Sequence, residues 1–288
     1  MSELHQPVLR WYDAHARVLP WRGPGASAWA VLVSEFMLQQ TPVARVLPVF
    51  ERWMGSWPAP AALAAASTGD AVRAWGRLGY PRRALRLHAA AVAIVTEHDG
   101  RVPSSLDALR SLPGVGEYTA AAVASFAFGR RHAVLDTNVR RVLGRVVSGV
   151  EHPPPALTRA ERDLAGRLLP ATDAEAAAWS VAVMELGALV CTAARPACGS
   201  CPVRDRCAWR LAGSPPYDGP PRRGQTYAGT DRQCRGRLLA VLRDCEEPVH
   251  VSRLDAAWSD GAQRDRCLRS LVDDDLVTAV AAAMYALP

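Results

Sequence analysis

The sequence contains no lysine, so all 34 of its basic residues are arginine. Any mechanism that needs a Schiff base on a lysine amine is therefore excluded. Long apolar runs are missing as well, since no stretch approaches the roughly 18 residues of a transmembrane helix. Residues 1–4 also lack the pattern of a secretory signal. We expect a cytoplasmic protein with no membrane partner.

A closed disulfide framework is not expected either, because the chain has seven cysteines, an odd number. Its 288 residues, 49% hydrophobic and 22% charged, are ordinary for a globular protein. The length fits one large or two smaller domains, and disordered and fibrous classes are excluded.

Positive charge is unevenly distributed along the chain. The net charge is +6, but residues 213–288 hold ten arginines against eleven acidic residues, so the excess lies in residues 1–212. A basic body of that size favours a polyanionic partner such as nucleic acid.

Alanine-rich amphipathic stretches dominate and alternating β-branched runs are scarce, which predicts an all-α fold. Proline and glycine separate the predicted helices. These lie near 5–16, 28–40, 42–55, 60–66, 69–77, 81–97, 105–111, 116–128, 137–147, 158–169 and 174–190.

Three regions are predicted. Residues 1–211 form the helical body, and the glycine- and proline-rich segment 212–229 is a linker. Residues 230–288 form a small C-terminal unit with helices near 231–244, 252–259 and 262–273 and a hairpin over 276–287. Three helices and a hairpin are typical of a winged helix, and a helical tail packed on the body is the alternative.

A glycine-bounded turn lies between two predicted helices at 112–116, with the sequence LPGVG. Glycines let the backbone approach a ligand closely, and the following helix offers free N–H groups at its start. This pattern predicts a helix-hairpin-helix that grips a phosphate without reading base sequence.

Four cysteines are grouped within 17 residues at 191–207 with the spacing C-x6-C-x2-C-x5-C. Four thiolates at one centre indicate either zinc or an iron–sulfur cluster. A single C-x2-C flanked by two further cysteines favours the cluster, because zinc sites usually have two separate C-x-x-C pairs. No histidine lies in this loop.

Two acidic residues stand out by their surroundings. Glu35 is the only charge in a long apolar stretch, so it either points to solvent or lies in a cleft with a raised pKa. Asp136 follows an apolar segment and precedes Thr137, which on its own predicts a helix N-cap.

Taken together, the motifs resemble those of the MutY-type adenine DNA glycosylases of the endonuclease III superfamily, over roughly residues 7–210. The resemblance is carried by LPWR at 19–22, SEFMLQQT at 34–41, LGY at 78–80, LPGVGEYT at 112–119, LDTNV at 135–139, ELGA at 185–188 and the four cysteines. It implies a helix-hairpin-helix glycosylase body with a [4Fe-4S] cluster. The implied partner is double-stranded DNA with an adenine mispaired with 8-oxoguanine or guanine, and we expect a monomer associated with the nucleoid.

Each matching residue acquires an expected role from the resemblance. Glu35 would protonate the purine, and Asp136 would stabilise the sugar cation. Tyr118 and Asn138 would hold the sugar and the attacking water, while Gln40 and Tyr80 would wedge into the base stack as the adenine flips out. The remaining matches are the pocket-wall residues Arg17, Leu19, Trp21 and Arg22, the DNA contacts Gln39, Thr41, Pro113, Gly114, Val115 and Gly116, and the cluster ligands Cys191, Cys198, Cys201 and Cys207.

The chain also departs from the family pattern. Bifunctional relatives carry a lyase lysine where this chain has Tyr118, so a monofunctional enzyme is expected. The chain has Val181 where the family usually has glutamine or glutamate. It has Pro81 where the family often has tyrosine. Only about 60 residues follow the linker, and they do not resemble the family's usual guanine-reading domain, so this would be a short form.

Two other functions fit the residues less well. One is a mismatch glycosylase that acts on thymine or uracil, which would share Tyr118, Asp136 and the cluster. The other is a non-catalytic DNA-binding iron–sulfur protein, which would be expected to have lost one of the two carboxylates.

Overall fold

The computed structural model describes residues 3–23, 25–219 and 226–288. Their contacts form two compact units, one of Met1–Val31, Ser104–Ser111 and Val115–Pro221, the other of Leu32–Pro103, Leu112–Gly114 and Arg222–Pro288. Residues 220–225 of the predicted linker lie outside the described residues. The predicted division at 211 and 230 therefore stays a prediction.

Helices dominate the described residues, which confirms the all-α prediction for the body. In chain order they are α1 His5–His15, α2 Ala28–Leu38, α3 Val43–Ser56, α4 Pro60–Ala64, α5 Thr68–Trp75, α6 Arg82–Glu97, α7 Leu106–Ser111, α8 Glu117–Phe128, α9 Thr137–Leu143, α10 Arg159–Leu168, α11 Asp173–Leu189 and α12 Ala208–Leu211. None of the helices in the described part of the chain is both long and apolar enough to span a bilayer.

Helix α11 forms the centre of the first unit, where it packs against α1 and α9. The Thr172 hydroxyl begins the helix by accepting a hydrogen bond from the Glu175 amide. Its apolar residues Val183 and Leu186 then pack in one buried cluster with Val8 of α1 and Val142 of α9. Full burial of a side chain such as Leu186 contributes roughly 1.5–3 kcal/mol.

The body of the second unit packs α4 and α5 against α6. Trp53, Trp75, Leu87 and Ile94 are all at most 1% exposed at its centre. The Trp53 and Trp75 rings meet edge to face, with centroids 5.7 Å apart.

The C-terminal segment of the second unit has the predicted winged-helix order. Its elements are α13 Asp231–Arg243, β1 Val249–His250, α14 Val251–Asp255, α15 Gly261–Asp273, β2 Thr278–Ala281 and β3 Met284–Ala286. The strands form one antiparallel sheet in the order β1-β3-β2, with an irregularity between Ala279 and Ala281. Thr230 caps α13 by accepting from the Gln233 amide.

One predicted helix is divided in the structure. The expected helix 137–147 ends as α9 at Leu143 and continues as a π-helical turn over Gly144–Ser148. The wider turn directs Arg145 inward, where it is 1% exposed and donates to backbone carbonyls near the cysteines. Helical periodicity does not reveal such a turn, because the amphipathic pattern is the same on both sides.

Candidate active site and cysteine loop

The turn at 112–116 connects α7 to α8, as the sequence predicts. Gly114 has a φ of +77°, and a Cβ there would lie 2.8 Å from the Arg86 Cβ and 3.0 Å from the Phe36 ring. A side chain at this position would therefore be strained by both the backbone and its neighbours.

The end of this turn exposes backbone to solvent. Gly116 is extended just before α8, with open space beside its Cα, and no side chain caps the helix. The start of a helix is a favourable position for an anion such as phosphate. Pro113 is exposed, whereas the Val115 side chain is buried, so any contact of Val115 with DNA has to use its backbone.

Asp136 is the N-cap of α9, as predicted. One carboxylate oxygen accepts from the Val139 amide at 2.7 Å, and the other accepts from the Asn138 side-chain amide at 2.7 Å. Burial raises the pKa of Asp136, while these hydrogen bonds and the positive charge of Arg141 oppose the increase. The structure therefore unites two of the predicted catalytic residues in one hydrogen-bonded pair.

Arg141 extends this pair toward the cysteine loop. Its guanidinium donates to Asn138 Oδ1 at 2.8 Å, to the Gly187 carbonyl at 2.7 Å and to the Cys191 carbonyl at 2.7 Å. A Cβ at Gly187 would lie 2.7 Å from the Asn138 Cβ and 2.9 Å from its carbonyl oxygen, so only glycine permits this approach. The side-chain amide of Asn138 is thereby held in place by Arg141.

A buried carboxylate joins two of the predicted pocket-wall residues. Glu185, whose side chain is 0% exposed, accepts from Arg17 Nε at 2.6 Å and from Arg22 Nη1 at 2.7 Å. It also accepts from Arg17 Nη2 at 2.7 Å and from the Arg17 amide at 3.1 Å. Burial alone would raise the pKa of Glu185, but the two arginines outweigh it and lower the pKa to about 2.

The other wall residues differ in exposure. Leu19 and Trp21 are each 5% exposed and belong to the core, while Val18 between them and Arg17 is 99% exposed. Tyr118 is half-buried and packs beside Ala121, Ala122 and Val134. The exposed apolar side chain of Val18 is a feature that the sequence pattern does not single out.

Glu35 lies in the second unit on a helix that is buried on all sides. The residue is 5% exposed, and its neighbours Ser34 and Phe36 are at most 1% exposed. Of the two environments that the sequence leaves open, the structure shows the buried one.

Two turns of the second unit carry the predicted DNA contacts, and each contains a non-glycine residue with positive φ. Gln40 has a φ of +53° and Tyr80 a φ of +48°, a conformation that such residues seldom adopt. Gln40 and Tyr80 are exposed and Gln39 is half-buried. Thr41 is buried, and its hydroxyl donates to the Gln39 and Leu78 carbonyls, so its side chain serves the turn itself.

Arg83 joins these two turns. It is 6% exposed, and it donates to five acceptors, which are the carbonyls of Phe36, Met37, Gln39 and Gly79 and the hydroxyl of Thr41. Its guanidinium also lies over the Tyr80 ring, 5.4 Å from the centroid. Burial lowers the pKa of Arg83 to about 10, so the group remains charged at neutral pH.

The four grouped cysteines line one cavity together with Arg145 and Trp209. Cys191 and Cys207 are buried, while Cys198 and Cys201 are half-buried. Arg145 donates to the Cys191 sulfur at 3.5 Å and to the Thr192 and Ala193 carbonyls, and it stacks over Trp209. Burial raises the pKa of Cys201 to about 11, with a further contribution from the neighbouring thiols.

The arrangement of these thiols bears on the group that they could hold. Within the described residues, no three His, Cys, Asp or Glu side chains form a group that could hold a single metal ion. The four thiols nevertheless line one cavity, so they are available as ligands of one centre.

Comparison with known proteins supplies the family. Residues 33–165 match the family of HhH-GPD superfamily base excision DNA repair proteins. An adenine DNA glycosylase of Mycobacterium tuberculosis (strain CDC 1551 / Oshkosh) is 56% identical over 283 residues, which cover 98% of this chain and 92% of that protein. The chain belongs to the adenine DNA glycosylase family. It is therefore a DNA repair enzyme that hydrolyses N-glycosyl bonds.

Other relatives match this glycosylase over a smaller part. The adenine DNA glycosylase of Homo sapiens is 43% identical over 210 residues, which cover 69% of this chain and 38% of the human protein. A solved structure of a thermostable thymine-DNA glycosylase has a TM-score of 0.64 and 25% identity, covering 72% of this chain and 94% of that chain. The mycobacterial match, in contrast, extends through almost the whole chain, including the C-terminal segment.

Sequence reasoning assigned no role to several residues that hold this site together. Glu185 is a lone acid in an apolar stretch, so the reasoning applied to Glu35 would have selected it as well. Arg83 lies in the first turn of α6, where the helix dipole disfavours a cation. Its unfavourable position could have indicated that the side chain has another structural role. No pattern in the sequence marks Arg141 or Arg145, because both act on backbone carbonyls distant in the chain.

Proposed function

We propose that this glycosylase removes adenine mispaired with 8-oxoguanine or guanine and leaves an abasic site. The observation that carries the proposal is the 56% identity with an adenine DNA glycosylase over 98% of the chain. Support comes from the two carboxylates, which have environments suited to different tasks.

Glu35 is proposed to act as the general acid that protonates the adenine ring and turns it into a leaving group. Its burial on α2 supports this role, because only 5% of the residue is exposed and it therefore does not lie on a solvated helix face. Asp136 is proposed to act as the ionised partner that stabilises the positive charge on the sugar. The amide donors on both of its oxygens favour the carboxylate form despite its burial.

The remaining residues are proposed to bind and position the DNA. Asn138, oriented by Arg141, would hold the attacking water, and Tyr118 would contact the sugar. The pocket wall would be formed by Arg17, Leu19, Trp21 and Arg22. Gln40 and Tyr80, next to Gln39 and Thr41, would enter the base stack. The turn Pro113, Gly114, Val115 and Gly116 would bind a phosphate.

A monofunctional reaction follows from the absence of lysine in the chain. β-Elimination through a lysine Schiff base has no nucleophile here, so the proposed product is an intact strand with an abasic site. The proposed partner is double-stranded DNA, bound by a monomer in the cytoplasm at the nucleoid.

Cys191, Cys198, Cys201 and Cys207 are proposed to hold a [4Fe-4S] cluster. Such a cluster would supply four metal–sulfur bonds that cross-link a loop otherwise fixed by backbone hydrogen bonds. The shared cavity that the four cysteines line supports a common centre, and their single C-x2-C spacing favours a cluster over zinc.

A panel of single-turnover reactions tests the proposal. Duplexes that pair A, T or U with G or 8-oxoguanine are incubated with excess protein, and strand cleavage is measured after alkali. We expect excision of adenine opposite both partners. Removal of thymine or uracil with adenine untouched would instead favour the mismatch activity of the solved thymine-DNA glycosylase, and no excision would favour a binding protein.

A further inference from the structure

The ring of Tyr80 is contacted by two arginines from different parts of the second unit. Arg83 lies 5.4 Å from the ring centroid and Arg232 lies 5.2 Å from it. The tyrosine itself is 43% exposed and has a φ of +48°. A ring held by cations at an exposed turn is restricted in orientation without being buried.

Arg232 comes from the first turn of α13, which lies outside the part of the chain that matches the family model. It is exposed, and it also lies 5.5 Å from the ring centroid of Tyr227. The C-terminal segment thus brings one cation and one aromatic ring to the turn that the body provides.

This placement is fixed by hydrogen bonds between the C-terminal segment and the helices α5 and α6. Arg73 donates to the carbonyls of Arg243 and Cys245, the latter at 2.8 Å, and Arg243 donates to the Val72 carbonyl at 3.0 Å. Arg82 also pairs with Asp274 at 3.2 Å. Because several such contacts hold α13, the approach of Arg232 to Tyr80 follows from packing and not from one mobile side chain.

We propose that the C-terminal segment is part of the DNA-contacting surface, and that Arg232 is a positioning residue that orients the Tyr80 ring for entry into the base stack. This inference rests on the proposed function, in which Tyr80 enters the stack. It differs from the expected reading of the segment as a separate domain joined by a linker, because Arg232 acts directly at a residue of the body.

The test compares three substitutions in the full-length protein. Arg232→Ala removes the stacked cation, and Arg232→Lys retains charge but loses the planar group that stacks. Arg237→Ala is the matched control, because Arg237 is an exposed arginine on the same helix and makes no ring contact with Tyr80. Single-turnover excision of adenine opposite 8-oxoguanine is measured together with the fluorescence of 2-aminopurine placed beside the lesion, which reports unstacking.

We expect Arg232→Ala to slow excision about fivefold, which is the effect of losing a single cation–π contact. The same substitution should reduce the 2-aminopurine signal. Arg232→Lys should resemble it, whereas Arg237→Ala should match the wild type. In a Tyr80→Ala background, Arg232→Ala should have no further effect.

The outcomes separate the inference from the proposed function. If the wild-type protein does not excise adenine, the proposed function fails. If it does, but Arg232→Ala and Arg237→Ala behave alike in both readouts, the inference about Arg232 is overturned while the function stands. An effect of Arg232→Ala that persists undiminished without the Tyr80 ring also overturns it.

Discussion

Removal of the buried Glu185 carboxylate should strongly destabilise the first unit. The pKa of Glu185 is lowered from its ordinary value of 4.5 to about 2. At ~1.4 kcal/mol for each pKa unit, its ionised form contributes about 3 kcal/mol. Glu185→Gln keeps the shape but leaves Arg17 and Arg22 without their counter-charge, and these side chains are only 32% and 17% exposed. We expect a loss of about 2–3 kcal/mol, which lowers the melting temperature by roughly 5–10 °C.

Thermal unfolding followed by circular dichroism measures this effect, with Asp163→Asn as the control. Asp163 pairs with Arg159 at 3.8 Å, but both side chains are largely exposed, so its loss should cost below about 0.5 kcal/mol. The pH dependence gives a second check. Because the pKa is lowered on folding, the contribution is complete above about pH 4.5 and is lost as the pH falls toward 2. A Glu185→Gln variant as stable as the control at pH 7 would refute this reasoning.

Three further predictions concern the reaction and the metal. Glu35→Gln and Asp136→Asn should each abolish single-turnover excision, because both carboxylates act on the transition state. Binding of duplex DNA, measured by filter binding, should remain. A variant that keeps a near-native excision rate would show that the carboxylate it replaces is not catalytic. The excision rate should fall at low pH with a midpoint above the pKa of an ordinary aspartate, because burial raises the pKa of Asp136. A midpoint at or below that ordinary value would contradict the catalytic role of Asp136. Protein purified without oxygen should contain four iron atoms per chain, and Cys198→Ser should lower iron content and soluble yield, whereas stoichiometric zinc would exclude the cluster.

Much of the fold was predictable because it depends on local signals. Apolar periodicity and proline or glycine breaks predicted the helices of the body to within a few residues, and Asp136 was predicted as a cap from residue type alone. The π-helical turn at Gly144–Ser148 was not predicted, because its residue Arg145 donates to the Thr192 and Ala193 carbonyls, which are distant in the chain. Local patterns carry no information on such contacts.

The candidate site shows the same division. Motif spacing singled out Glu35, Asp136 and the cysteines as candidates, but it could not reveal that Thr41 and Trp21 are buried. Nor could it show that Arg73 and Arg243 connect α5 with the C-terminal segment, since arginines on a helix are usually solvated. The composition of the chain does not show which of its arginines are buried.

In the proposed complex, the junction made by Arg83 affects how the enzyme meets DNA. One guanidinium connects the end of α2 and the turn after it with the turn at Gly79, so neither turn can rearrange without the other. The conformational entropy of ordering these residues, roughly 1–2 kcal/mol each, is therefore lost when the chain folds and not when it binds. In the proposed complex, damaged and undamaged duplexes therefore meet the same preorganised edge. Discrimination at this edge would then come from how easily a given base pair is deformed, because the two turns are already ordered before DNA binds.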